Sequence, residues 1–323
     1  MYLEKINGPE DVKKLSLQEM EKLAEEMREA LFHRLTIKGG HFGPNFGMVE
    51  ATIAMHYVFD SPKDKFVFDV SHQTYPHKML TGRAYGYLDE SRFQEISGYS
   101  EPSESEHDHF VIGHTSTSIS LATGLAKGRD YCGGKENIIA VIGDGSLSGG
   151  EALEGLDFAG EMKSNLIIVV NDNEMSIAEV HGGLYKNLDE LRATDGKASN
   201  NLFKAMGLDY IYEPEGNNIE KLIAVFEKVK DIDHPIVVHV HTQKGKGYTP
   251  ATIDKENWHW CMPFDRETGK PTVSFEGEDY GTLSGDLILK KMKEDKSVVF
   301  VTAAVPGSVG FPKENREKAG EQY

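Results

Sequence analysis

Cysteine is almost absent from this sequence: Cys132 and Cys261 are the two cysteines in 323 residues. They lie far apart, and neither belongs to a pair with the spacing of zinc ligands, which argues against a disulfide framework and against a cysteine-based metal centre. A chain of this kind fits a reducing compartment. The sequence therefore predicts a cytoplasmic protein.

Positive charge and long apolar runs are also scarce. Lysine and arginine number 35 against 52 aspartates and glutamates, a net charge of −17, and a surface of that sign repels nucleic acid and anionic membranes. Runs such as 166–170 are too short to cross a bilayer, and residues 1–14 lack the apolar segment of a signal peptide. The expected partners are small molecules, with no nucleic acid and no membrane.

The apolar residues, 39% of the chain, are enough for a substantial core, and their pattern alternates between two kinds of segment. Residues 17–35 have helical spacing behind a candidate cap at Ser16, and 150–162 are helical in pattern too. Short runs typical of buried strands lie at 66–70, 138–143, 165–170 and 236–242. The alternation predicts an α/β fold: a doubly wound, mostly parallel sheet with helices on both faces.

The last part of the chain differs in character. Residues 251–282 are rich in loops, after which 283–295 have the pattern of a helix and 297–305 that of a strand. One helix and one strand cannot close a core of their own. We therefore expect two domains, residues 1–278 and residues 279–323, the second being the beginning of an incomplete α/β domain that continues beyond this sequence.

The stretch VIGDGSLSGGEAL places a carboxylate, Asp144, in a glycine turn between a strand and a helix. Such a turn binds anions through backbone N–H groups, here those near Gly145 and Ser146, but an aspartate repels phosphate unless a divalent cation lies between them. Asn173 follows the next strand, one βαβ crossover later, and the carboxyl ends of parallel strands share one edge of a sheet. Asp144 and Asn173 are therefore candidate Mg²⁺ ligands.

Several segments together resemble the 1-deoxy-D-xylulose-5-phosphate synthase family of transketolase-like enzymes. The region from GDGSLSGG to NDNEMSI is similar to the family's thiamine diphosphate motif. The other matches, in the family's order, are KGGHFGPNFGMVEAT, FDVSHQTYPHKMLTGR, ESEHD, IGHTSTSIS, QKGKGYTPA and WHWCMPFDRETG. The resemblance covers most of residues 5–310 and implies the thiamine diphosphate-binding fold, with thiamine diphosphate and Mg²⁺ as cofactors.

The resemblance also implies roles for individual residues. Mg²⁺ would be bound by Asp144, Asn173 and the carbonyl of Met175, and His41 and His72 would be catalytic. The implied cofactor-binding residues are His72, Gly113, His114, Thr115, Ser116, Gly145, Ser146, Asn173 and Lys244.

The implied reaction forms a carbon–carbon bond between pyruvate and glyceraldehyde 3-phosphate, with loss of carbon dioxide, as a transferase step of isoprenoid biosynthesis in a homodimer. Two alternatives stay open: a transketolase-like enzyme with another ketose donor and aldose phosphate acceptor, and a cofactor-binding subunit that needs a partner chain. A metal-dependent hydrolase built on residues 107–109 is a third, with no further ligand set to support it. The family's catalytic glutamate is expected beyond residue 323, so this chain is expected to be inactive alone.

Three features depart from the family pattern. Pro44 stands where the family usually has a serine, segment 181–203 is markedly shorter, and the approach to ESEHD lacks the usual Gly-Phe pair. They leave the donor and acceptor substrates open. Among the remaining histidines, His33 and His56 lie on helix-like patterns and are predicted to be structural, and residues 107–109 are predicted to form a solvated acidic loop.

Overall fold

The structure is a computed structural model that describes residues 1–274 and 277–323. Its strands are β1 Gly40–His41, β2 Lys65–Phe68, β3 Ile138–Gly143, β4 Leu166–Asp172, β5 Asp209–Glu213, β6 Pro235–His241 and β7 Trp260–Cys261. Its α-helices are α1 Pro9–Val12, α2 Leu17–Lys38, α3 Gly43–Gly47, α4 Val49–Val58, α5 Tyr75–Lys78, α6 Tyr85–Leu88, α7 Ser118–Tyr131, α8 Asp144–Leu147, α9 Gly150–Glu161, α10 Gly183–Ala193, α11 Leu202–Ala205, α12 Ile219–Val229, α13 Thr249–Ile253, α14 Tyr280–Glu294 and α15 Lys313–Ala319. Short 3₁₀ turns lie at Leu3–Lys5, Glu90–Arg92, Pro306–Val309 and Gly320–Gln322, and a π-helical turn at Met79–Arg83. Within the described ranges, no helix has the length and apolar character that a membrane crossing requires.

A five-stranded sheet in the order β2, β3, β4, β6, β5 forms the centre of the fold. All four neighbouring pairs are parallel. Strands β3, β4 and β6 are buried along almost their whole length. Their continuous valine and isoleucine runs are therefore explained by a parallel sheet that is covered on both faces.

Helices cover both faces of this sheet. Successive side chains of a strand point to opposite faces, so neighbouring residues pack against different helices. Ala140 and Ile168 pack in a buried cluster with residues of α7, α9 and α10. Val141 and Val169, one position further along the same strands, pack instead with residues of α4 and α12. The predicted doubly wound, mostly parallel α/β fold is confirmed.

Helix α2 begins where the sequence predicts. The Glu19 N–H donates to the Ser16 hydroxyl, and the Ser16 N–H donates to the Glu19 carboxylate, which together form a capping box. The helix continues past residue 35 to Lys38 and ends at Gly39, whose φ of +67° is unfavourable for other residues. The chain can therefore turn sharply into β1.

Strands β1 and β7 form a separate antiparallel pair of two residues each. Gly40 is opposite Cys261, and His41 is opposite Trp260. The Phe42 N–H extends this pairing by donating to the carbonyl of His259. Two segments that are distant in the sequence are thus held side by side next to the carboxyl edge of the main sheet.

The predicted strand at 297–305 is wrong. Its Phe300 N–H donates to Gln322 O and its Ala304 O accepts from Ala178 N–H, but in the part of the chain that the structure describes no strand pairs with it. A strand needs a neighbouring backbone, which side-chain alternation alone cannot supply. The predicted helix at 283–295 is present as α14, and the domain boundary at residue 278 stays a prediction.

Candidate active site

A cavity of about 200 Å³ lies at the carboxyl edge of the sheet, beyond β3 and β4. Most residues predicted to act there line it: His41, His72, Thr115, Asp144, Gly145, Ser146, Asn173, Met175 and Lys244. Gly113 and His114 are exposed and lie outside this lining, and Ser116 is buried behind it. The Ser116 hydroxyl donates to the carbonyl of Ser146 at 2.8 Å, so it contacts the glycine turn from the side.

Asp144 and Asn173 follow adjacent strand ends, as the sequence predicts. Gly143 of β3 is paired with Asn171 of β4, so the residues after both strands reach the same cavity. Asp144 is 1% exposed and Asn173 8%. One oxygen of each, Asp144 Oδ2 and Asn173 Oδ1, is buried without a hydrogen-bond partner among residues 1–274 and 277–323. Since buried polar atoms normally have partners, these two oxygens are positioned for a ligand or an ion.

Asp144 lies near a second carboxylate, Asp172, and near the ammonium of Lys244. Burial, and next the charge of Asp172, raise the pKa of Asp144 to about 8, although the ammonium of Lys244 acts in the opposite direction. Burial also opposes ionisation of Asp172, but the hydrogen bond from His239 and the charge of Arg192 lower its pKa. Asp172 therefore stays anionic beside Asp144. A divalent cation in the cavity would remove the penalty on the Asp144 carboxylate.

Lys244 brings a cation to the same cavity lining as Asp144. It follows β6 and is 2% exposed, and its Nζ donates to the carbonyl of Ser176 at 2.6 Å. Burial lowers the pKa of Lys244 to about 8. A buried ammonium in a cavity whose lining also holds the N–H-bearing turn of Gly145 and Ser146 is suited to an anion.

Three histidine rings form one side of the cavity. The ring centroid of His72 lies 5.0 Å from that of His41 and 5.4 Å from that of His259. Burial lowers the pKa of His41 to about 4 and that of His72 to about 3, and it lowers the pKa of His259 further. Nδ1 of His72 and Nδ1 of His259 have no hydrogen-bond partner in the described ranges, so two neutral rings keep a nitrogen available. His33 and His56 lie outside the lining.

The sequence reasoning missed His259 as a site residue. The signal was present, because this histidine lies in WHWCMPFDRETG, one of the segments that carry the family resemblance. It follows no strand of the main sheet, however, and only the β1–β7 pairing brings it next to His41.

A strained backbone turn forms the cavity wall before His72. Val70 and Ser71 have φ values of +57° and +66°, and the Ser71 N–H donates to the carbonyl of Asp69 at 2.5 Å, which closes a three-residue turn. The buried Asp69 carboxylate accepts N–H groups of Ser116 and Ser118. Residues other than glycine seldom adopt such φ values, and those that do cluster at functional sites.

The segments that depart from the family pattern also reach this region. Pro44 lines the cavity. Segment 181–203 contains α10, from which the Tyr185 hydroxyl donates to Ser148 Oγ at 2.8 Å and lies 3.3 Å from the carbonyl of Gly145. Tyr185 therefore contacts the glycine turn, a role that sequence reasoning did not assign to it.

The predicted solvated loop at 107–109 is wrong. Asp108 is 5% exposed and accepts two hydrogen bonds from the Arg83 guanidinium, at 2.8 and 2.9 Å. It also lies 3.1 Å from Nε2 of His77. Its burial is stabilised because a cation faces it directly. In the described part of the chain no three His, Cys, Asp or Glu side chains gather as a metal site, so the hydrolase alternative gains no support.

Comparison with known proteins gives sequence matches over most of the chain. The sequence model described as 1-deoxy-D-xylulose-5-phosphate synthase matches residues 3–199 and 192–242. The 1-deoxy-D-xylulose-5-phosphate synthase 1 of Geobacter sulfurreducens is 41% identical over 98% of this chain and 56% of its own length. The Natranaerobius thermophilus synthase is 40% identical over 97% of this chain and 55% of its own length.

Solved structures show the same fold. The transketolase from Campylobacter jejuni superposes with a TM-score of 0.61 at 17% identity, covering 94% of this chain and 48% of its own. The transketolase from Leishmania mexicana gives 0.59 at 19% identity, covering 80% and 43%. The chain spans slightly more than half the length of the two curated synthases. On the sequence match, the chain belongs to the 1-deoxy-D-xylulose-5-phosphate synthase family.

Proposed function

We propose that this chain supplies the metal- and diphosphate-binding part of a thiamine diphosphate-dependent transferase that joins pyruvate to glyceraldehyde 3-phosphate with loss of carbon dioxide. Enzymes of this family use thiamine diphosphate and Mg²⁺. The observation that carries the proposal is a pair of buried oxygens in one cavity, Asp144 Oδ2 and Asn173 Oδ1, for which the described part of the chain offers no hydrogen-bond partner.

The residues present fit a magnesium diphosphate. Carboxylate and amide oxygens are hard ligands of the kind Mg²⁺ prefers, and Mg²⁺ is usually completed by water and substrate phosphates. Asp144, Asn173 and the carbonyl of Met175 would hold the ion. Gly145 and Ser146 would offer N–H groups to the diphosphate, whose remaining charge Lys244 would balance. The implied roles of Gly113, His114, Thr115 and Ser116 in cofactor binding belong to the same proposal.

Thiamine diphosphate held by these residues would supply a nucleophilic carbon for reaction with the donor carbonyl. The residues of this chain would orient the cofactor and the substrate, exclude water from the cavity and transfer protons. His41 and His72 are neutral near pH 7 because burial lowers their pKa values. Nδ1 of His72 and Nδ1 of His259 are each available for a hydrogen bond in the cavity. We assign proton transfer and hydrogen bonding to the substrate to His41 and His72, and substrate positioning to His259.

The wider setting is part of the same proposal. We include in it a homodimer, a place in the cytoplasm and a role in isoprenoid biosynthesis, as the family resemblance implies. The donor would be pyruvate and the acceptor an aldose phosphate.

Calorimetric titration of the 323-residue chain tests the cofactor proposal. Thiamine diphosphate with Mg²⁺ should bind, Mg²⁺ with inorganic pyrophosphate should bind more weakly, and thiamine without its diphosphate should not bind. Chelation of Mg²⁺ should abolish the signal, because the diphosphate would then lose the ion that links it to Asp144 and Asn173 and would face the anionic Asp172 uncompensated. Binding that is indifferent to the chelator would contradict the metal site.

The substrate proposal needs a separate assay. Release of carbon dioxide from pyruvate in the presence of glyceraldehyde 3-phosphate should require this chain together with the region that makes up the rest of the curated relatives' length. Consumption of a ketose phosphate in place of pyruvate would favour the transketolase alternative instead.

A further inference from the structure

Ser71 joins three segments that surround the cavity. Its side chain is fully buried, and its hydroxyl donates to the carbonyl of Ile112 at 2.8 Å. The same oxygen accepts the N–H of Ser100 at 2.9 Å. One hydroxyl thus ties the strained turn before His72 to the segment before Thr115 and to the loop around Ser100.

The loop around Ser100 places an aromatic residue against His41, a residue of the cavity lining. The ring of Tyr99 meets the ring of His41 edge to face, with centroids 5.8 Å apart and an interplanar angle of 75°. Tyr99 is 39% exposed, so it lies on the outer side of His41, whereas His72 and His259 lie on the inner side. The backbone of Tyr99 is fixed on one side by Ser97, whose hydroxyl donates to its carbonyl at 2.7 Å. On the other side it is fixed through Ser100 by Ser71.

The backbone conformation of Ser71 is unfavourable for a serine, so its hydroxyl must offset a steric cost. A φ of +66° suits glycine, which reaches it without steric cost, whereas serine does not. The two hydrogen bonds of the hydroxyl offset that cost, and glycine cannot make them. Alanine would retain the strain and lose both bonds, and glycine would lose the strain and both bonds. The two variants therefore separate the backbone effect from the hydroxyl effect.

We propose that Ser71 is a positioning residue of this cavity: its hydroxyl fixes the loop that holds Tyr99 against His41, and so sets the outer boundary around His41. The inference rests on the proposed function for what His41 acts on. The contact itself belongs to the chain without ligand, so it can be tested whether or not thiamine diphosphate binds.

The test is the NMR signal of the His41 Hε1 proton in the ligand-free chain, assigned with H41N. The Tyr99 ring shifts this signal, and Y99L should abolish that ring-current shift. S71A and S71G should move the signal in the same direction as Y99L. Ser118 offers a matched control, because its hydroxyl is buried without a partner among the described residues and only its backbone N–H contacts Asp69. S118A should leave the signal in place.

Thermal unfolding separates positioning from support of the fold. S71G should unfold at a temperature equal to or above that of S71A, while both variants lose the His41 shift. A residue that only supports the fold would lower the unfolding temperature and leave the His41 signal where it is. The proposal is overturned if S71G and S71A keep the wild-type His41 signal, or if Y99L does not move it.

Discussion

Replacing Asp144 by asparagine should stabilise the metal-free chain. One unit of pKa corresponds to about 1.4 kcal/mol, so a carboxyl whose pKa is raised from 3.8 to about 8 costs on the order of 4 kcal/mol of folding free energy at pH 7. Asparagine avoids this cost but buries an amide without a full set of partners, a loss of about 2 kcal/mol. The net gain is about 2 kcal/mol, or a rise of roughly 4 °C in Tm.

The contribution of Asp144 to folding stability depends on pH. The folded chain keeps the Asp144 proton up to about pH 8, whereas the unfolded chain releases it near 3.8. Between these values the folded state binds more protons, so the contribution of Asp144 to stability falls as the pH rises. The advantage of D144N over the wild type should therefore grow from pH 5 to pH 8.

Scanning calorimetry with and without ligand completes the experiment. With chelator present D144N should be the more stable protein; with Mg²⁺ and thiamine diphosphate at 100 times the dissociation constant, the wild type should gain about 2.7 kcal/mol and D144N almost nothing. Asp157 on α9 is exposed, and D157N is the matched control that should behave as wild type in both conditions. A D144N protein that is less stable than wild type under chelation, or that gains equally from the ligand, would refute the reasoning.

Three further predictions concern the same cavity. K244M should weaken binding of Mg²⁺–thiamine diphosphate about tenfold or more in calorimetric titration, because a charged hydrogen-bond donor is lost. K163M, at an exposed position, should leave the affinity unchanged. Equal losses of affinity in the two variants would show that only overall charge matters. Y185F should weaken the same binding about fivefold, since the contact with Ser148 is lost, with a fall in Tm of no more than roughly 2 °C; a large fall in Tm with unchanged affinity would contradict this. The Hε1 signal of His72 should not titrate between pH 8 and pH 5, because burial lowers its pKa to about 3; a midpoint near 6.5 would show that water reaches the ring.

The sequence was most informative where the site is local. Strand β3 matches the predicted 138–143, and Asp144 and Asn173 follow strands that one crossover makes neighbours. The glycine turn and both strand ends could therefore be predicted from a short window, because a parallel sheet places such positions together. Family resemblance extended this to His41, His72 and Lys244, which the structure brings to the same cavity.

Features that depend on distant pairing were not predictable from local patterns. Strand β5 has no fully buried residue, so its sequence lacks the apolar run that marks the other strands. His259 reaches the cavity only because β7 pairs with β1. Asp108 looked solvated because acidic residues surround it in the sequence, whereas Arg83 contributes the compensating charge from another segment. Local composition does not report such a partner.

The small β1–β7 pair gives the two sides of the cavity unequal local stability. The side that carries Asp144 belongs to a five-stranded sheet, but the side with His41 and His259 is joined by a short ribbon of two paired residues per strand, which the N–H groups of Phe42 and Gly43 extend. Short ribbons open at a lower free energy than the global unfolding of the domain. On heating, the histidine side should therefore separate first, and amide hydrogens such as that of Phe42 should exchange with solvent faster than those in the sheet. The side of the cavity formed by His41 and His259 can thus open at temperatures where the circular dichroism spectrum is still that of the folded protein.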